Sequence, residues 1–152
     1  MRNLARLIGV LLLCAMARSQ TISVPIEVTS EPRAIFVMAE INGHKVRLLL
    51  DTGSLVTLAD PTRTGMSEHD LNQSVTITAY DAHASHAIPV VQTEVRLGDL
   101  KLRVPVLLDS NFNLPRRFGQ IDGLLGMNVL AQFDSFRIDQ KGRTLELSDF
   151  RK

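Results

Sequence analysis

The sequence predicts an all-β domain of roughly eight short strands, on three observations. Apolar runs recur with turn signals between them at the spacing of a closed or sandwiched sheet. Asn42-Gly43 stands between two apolar-rich runs, the strongest local signature of a two-residue hairpin, because both turn positions need positive φ. Val75–Tyr80 (VTITAY) alternates and is rich in β-branched side chains, which suit a pleated surface. With 152 residues, 45% hydrophobic and 22% charged, the composition is that of one globular domain with one core.

The first nineteen residues read differently from the rest. MRNLAR carries two arginines, LIGVLLLCAMA is a continuous apolar run, and small residues follow at Ala15, Ala17 and Ser19. That order is a secretory signal peptide's, so residues 1–19 are expected to direct export and 20–152 to form the single domain. The expected location is secreted or periplasmic. Left uncleaved, the segment would instead anchor the chain in the membrane, facing the periplasm; the run is short for a full span. Cleavage after Ala17 would remove Arg2, Arg6 and the single cysteine, Cys14, and with it thiol chemistry. A formal charge of +1 and the lack of a basic cluster interleaved with aromatics give no indication of a nucleic-acid surface, and no nucleic-acid partner is expected.

Residues 21–34, with Pro25 and Pro32, read as an irregular or edge segment. Ile35–Ile41 and Lys45–Leu50 pair through the Asn42-Gly43 turn. Val56–Ala59 is a short strand ended by Asp60-Pro61, and the polar stretch 61–74 holds at most one helical turn. Val75–Tyr80 and residues 87–97 form a longer hairpin with a polar tip at Asp81–His86. Gly98-Asp99 turns the chain into the strand LKLRVPVLLD, and Asn111–Gln120 is a loop. IDGLLGMNVLAQF gives a short apolar strand, then one or two helical turns from Met127. FRID-QKG-RTLEL is a last hairpin.

Against this pattern, one residue is out of place. Leu48-Leu49-Leu50 runs into Asp51-Thr52-Gly53-Ser54, and the chain then turns apolar again. Ionised carboxylates are rarely buried without partners, so Asp51 at the end of an apolar strand is expected to lose hydration and to be held by its neighbours. Thr52 and Ser54 offer hydroxyls, and Gly53 lets a backbone N–H approach the carboxylate. A carboxyl fixed in place yet able to exchange a proton is equipped for general acid/base work. Activating a water and protonating a leaving group takes two carboxyls sharing a proton. Only one Asp-Thr-Gly occurs, so the second would come from a second copy on a two-fold axis.

Two aliphatic residues followed by Asp51-Thr52-Gly53-Ser54 resemble the active-site motif of aspartic proteases. Asp122-Gly123-Leu124-Leu125-Gly126 is similar to the second motif of that fold, and Gly126-Met127-Asn128-Val129-Leu130 looks like the start of the short helix in retroviral proteases. The likeness covers about residues 33 to 149, and with the export signal the chain resembles bacterial secreted or periplasmic retropepsin-like proteases. It implies a closed, barrel-like all-β fold with one short helix near the C-terminus, peptide or protein substrates, a homodimer, and no metal or other cofactor. Asp51 would be the catalytic acid/base. Thr52 would brace the two active-site loops across the dimer, Gly53 would supply backbone contact, Ser54 would hydrogen-bond the outer carboxylate oxygen, and Gly126 would be a packing residue. The hairpin 75–97 would be a flap over substrate, with Tyr80, Asp81 and Ala82 near its tip. Retroviral tips are glycine-rich, whereas Asp81–His86 contains no glycine.

Other readings compete at single residues. Tyr80 reads more readily as a half-buried strand tyrosine than as a flap residue. His83 and His86 have no carboxylate or cysteine at ligand spacing and read as solvated loop residues, not a metal site. Asp122 lacks a following Thr-Gly and reads as an acid ending a strand. At the level of function, the rival is a non-catalytic domain of the same fold that binds peptides or dimerises.

Overall fold

The computed structural model describes residues 20–30, 33–67, 74–78, 85–109 and 119–150. The signal-like segment and the proposed flap residues Tyr80, Asp81 and Ala82 lie outside them.

Among the described residues, ten strands join in one sheet: β1 (Thr21–Ser30), β2 (Arg33–Ile41), β3 (His44–Leu50), β4 (Thr57–Ala59), β5 (Ser74–Thr78), β6 (Ser85–Leu97), β7 (Leu100–Leu108), β8 (Gly123–Leu125), β9 (Phe133–Asp139) and β10 (Thr144–Phe150). Their order is β5-β6-β7-β4-β8-β3-β2-β1-β10-β9, and a further pairing of β6 with β2 closes six of them into a ring. The expected closure takes that form. The described residues also form two one-turn helices, α1 (Pro61–Thr64) and α2 (Met127–Leu130). The core lies inside the ring and under β1 and β10, with Ile41, Val46, Leu48, Val95, Leu97, Val106, Leu125, Leu130, Leu145 and Leu147 fully buried.

The local signals are realised closely. Asn42 and Gly43 take φ of 52° and 78°, and the ladder runs from Ile41↔His44 to Phe36↔Leu49. α1 is the single helical turn the sequence allowed. Asp60 caps it by accepting from Thr62 N–H at 2.8 Å, Pro61 starts it, and Gly65 closes it at φ 63°. The hairpin tip differs from expectation. The β5–β6 ladder extends to Thr78↔Ser85, so Ser85 and His86 belong to a strand, not to the tip.

Residues 21–30 also depart from expectation, forming a ten-residue strand inside the sheet. β1 changes partner midway: Thr21–Pro25 pair with β10, and Ile26–Ser30 with β2. Ile26 N–H still reaches Arg143 C=O on the β10 side at 3.0 Å. Because N–H groups alternate along a strand, the nitrogen of Pro25 faces the other side, where the β2 ladder has not yet begun. The missing donor therefore breaks no ladder bond, which is why the proline is tolerated.

Two contacts explain how the site is placed. β8 lies between β3 and β4, parallel to β3 (Leu48↔Gly123 to Leu50↔Leu125) and antiparallel to β4. The chain leaving β3 must therefore pass round the end of β8 to reach β4, and residues 51–56 make that crossing. Gly123 admits the close passage, since a Cβ there would lie 2.1 Å from Leu58 O.

Candidate active site

Asp51 stands where β3 ends and the crossing begins. Its N–H bonds Leu125 C=O at 3.0 Å, which continues the β3–β8 ladder by one residue. Its Oδ1 accepts from Gly53 N–H at 2.9 Å, the backbone contact expected of that glycine. Among the described residues Oδ2 meets no donor, and Asp51 pairs with no cation. The carboxyl is half-buried in the single chain, less shielded than the apolar run before it suggested, because the crossing lies at the rim of the sheet. Thr52 and Gly53 are exposed at the loop tip.

Ser54 departs from its expected part. Its hydroxyl donates to Val56 C=O at 2.7 Å and accepts from Val56 N–H at 3.4 Å, so it braces the loop and not the carboxyl of Asp51.

Gly126 sits behind the loop, buried. A Cβ on it would lie 2.2 Å from Val56 O and 3.0 Å from Ser54 O, so two backbones meet here at a distance that only glycine permits. Directly after it, Met127 N–H bonds Ser54 C=O at 2.8 Å and Asn128 N–H bonds Leu55 C=O at 3.2 Å. The start of α2 thus clamps the crossing loop through its own free N–H groups.

Two polar residues, to which sequence reasoning gave no role of their own, complete the scaffold: buried Thr57 and half-buried Asn128. Thr57, fully buried on β4, donates from Oγ1 to Asn128 Oδ1 at 2.7 Å and accepts from Gly126 N–H at 3.1 Å. Asn128 in turn donates from Nδ2 to Pro105 C=O on β7 at 2.7 Å. A signal was present: each is a polar residue interrupting an apolar run, which needs internal partners.

Asp122 is buried and saturated. It accepts from Arg47 N–H at 2.9 Å, Gln120 Nε2 at 2.9 Å and Arg63 Nε at 3.0 Å, and it sits at the opposite end of β8 from Asp51. It stands just before β8 begins and ties α1 to β3, the structural part the sequence suggested for it. Arg47 also grips Glu27 through two nitrogens, at 2.8 and 3.0 Å, and lies 3.6 Å over the Phe36 ring. The hydrogen bonds from Arg47 hold the Glu27 carboxyl below its ordinary range; burial acts weakly the other way. Among the described residues no group of three or more His, Cys, Asp or Glu could hold a metal ion, and no helix is long and apolar enough to cross a membrane.

The family model described as Aspartyl protease matches residues 37–129, a span running from β2 through the Asp51 loop to α2. The chain belongs to the aspartyl protease family. Two solved structures share the fold of this chain. A retropepsin-like aspartic protease from Rickettsia conorii superposes with a TM-score of 0.58 at 18% identity, covering 86% of this chain and 94% of that one. The retroviral protease-like domain of Ddi1 from Leishmania major gives a TM-score of 0.52 at 18% identity, covering 76% and 91%. The fold is therefore retropepsin-like. No curated protein sequence matches the chain significantly.

Proposed function

We propose that the chain is an aspartic endopeptidase whose active site forms between two copies, each contributing Asp51. One observation carries this reading. Among the described residues the Asp51 carboxyl is fixed by Gly53 N–H at one oxygen and meets no donor at the other, while the nearest sequence candidate for a second acid, Asp122, is saturated by three donors. A lone open carboxyl is half of an acid/base pair. On a two-fold axis the two Asp51 groups would share one proton; one would take a proton from water attacking the scissile carbonyl, and the other would give one to the leaving amine. Thr52, exposed at the loop tip, is free to bridge to its counterpart. Substrate would lie extended between this floor and the β5–β6 hairpin, bonding through its backbone. Export through the N-terminal segment belongs to the same reading, and N-terminal sequencing of the mature chain tests it.

The deciding experiment is a peptide-library digest across acid and neutral pH with wild type and Asp51→Asn in parallel. Cleavage by wild type, lost in a folded Asp51→Asn, supports the endopeptidase. Equal cleavage by both refutes the mechanism. Binding of peptides without cleavage by either identifies a non-catalytic binding domain of the same fold.

A further inference from the structure

We propose that Thr57 and Asn128 are a positioning pair that fixes the backbone of the Asp51 loop for the reaction; this rests on the reading of Asp51 as an acid/base group. Neither side chain is placed to touch substrate. Thr57 is fully buried, and Asn128 spends both ends of its amide inside the protein.

The chemistry fixes the polarity of this chain of bonds. Pro105 C=O can only accept, so the Asn128 atom facing it is the Nδ2 donor, and Oδ1 must face Thr57. Oδ1 can only accept, so the Thr57 hydroxyl donates its single proton there. Its oxygen lone pairs are then left to accept, and one takes Gly126 N–H. No other arrangement satisfies all five atoms, and among the described residues no buried side-chain nitrogen or oxygen lacks a partner.

The pair ties two strands and a helix to one point. Asn128 anchors α2 to β7, Thr57 anchors β4 to α2, and the anchored backbone is that of Gly126. From there two short links reach the carboxyl. Leu125 C=O holds Asp51 N–H, and the N–H groups of Met127 and Asn128 hold the carbonyls of Ser54 and Leu55. Any shift of Gly126 is therefore passed to both ends of the loop that carries Asp51. Ser54 spends its hydroxyl on Val56 within the loop, so the loop's orientation must be imposed from behind, and Thr57 is the residue behind it.

Thr57→Val keeps the side-chain shape and removes the hydroxyl, while Thr57→Ser keeps the hydroxyl and removes the methyl group. Positioning predicts that Thr57→Val lowers kcat about ten-fold or more while KM for an extended peptide stays within about two-fold, since geometry at the reacting carboxyl is lost before binding is. Thr57→Ser should return kcat to within about three-fold of wild type. Thr57→Ala, which leaves room for a water in place of the hydroxyl, is run beside the valine variant so that a fold defect in one does not decide the matter. Amide hydrogen exchange supplies a readout independent of catalysis. In Thr57→Val, exchange at Gly126 and Asp51 should quicken about ten-fold while amides of the β1–β10 ladder stay unchanged.

Wild-type kcat in a folded Thr57→Val overturns the proposal. So does a serine variant as impaired as the valine one, or faster exchange that stops at Gly126 and does not reach Asp51. If wild type itself cleaves no peptide, the endopeptidase reading falls, and the exchange comparison still judges whether the pair holds the loop.

Discussion

Replacing Gly126 by alanine should damage stability and activity together. The added Cβ would lie 2.2 Å from Val56 O and 2.4 Å from Val56 C, where ordinary contact begins at 3.4 Å, so one backbone must retreat by roughly 1 Å. Neither backbone is free to do so. Gly126 N–H is held by Thr57, Met127 N–H holds Ser54 C=O, and both polar backbone atoms of Val56 are bonded to the Ser54 hydroxyl. Overpacking of this kind costs about 1–3 kcal/mol, and the upper end applies because backbone, not a flexible side chain, is the obstacle. A displacement of about 1 Å carried into the Asp51 loop costs on the order of 100-fold in rate. Urea unfolding with an unchanged slope, measured beside kcat/KM for a cleaved peptide, reads both effects. A Gly126→Ala protein with the wild-type midpoint and wild-type kcat/KM would refute the close-packing argument.

Three further outcomes follow from the same structure. Asp122→Asn should lower stability by about 1–3 kcal/mol, because whichever oxygen becomes Nδ2, either Arg47 N–H or the Gln120 and Arg63 donors lose their acceptor, and the 44% exposed Arg63 keeps the loss below that of a fully buried pair; urea denaturation checks it. Glu27→Gln should lower stability at neutral pH by no more than about 1 kcal/mol, since the Glu27 side chain is 54% exposed and solvent screens the pair. That loss should be full above the ordinary glutamate value of 4.5 and vanish as pH falls through the lowered folded value, a convergence that thermal melts across pH detect. Asp51→Asn should leave the unfolding midpoint within about 0.5 kcal/mol of wild type, because among the described residues the carboxyl's one internal bond, from Gly53 N–H, can be accepted by the amide oxygen.

Legibility in the sequence followed the range of each interaction. Asn42-Gly43, Asp60-Pro61 and Gly98-Asp99 act locally, and their turns fall where the residues put them. The contact from Gly53 to Asp51 spans two residues and was readable for the same reason. β1 was not, because whether Pro25 breaks a ladder depends on which neighbour lies on its nitrogen side, a fact settled by β2 and β10 far along the chain. The partner of Ser54 depended likewise on the path of the loop as a whole. Thr57 and Asn128 lie 71 residues apart; each signalled by polarity that it needed a partner, and nothing local said which.

The most direct test of a site shared between two copies is a subunit-mixing experiment. Wild-type chain and Asp51→Asn are combined in varied proportion, allowed to exchange, and assayed for initial rate of peptide cleavage per total chain. If each site needs Asp51 from both copies, the rate follows the square of the wild-type fraction, and an equal mixture keeps about one quarter of the wild-type rate. A linear fall, with about one half kept at equal mixing, would contradict the shared site and place all the catalytic groups within one chain.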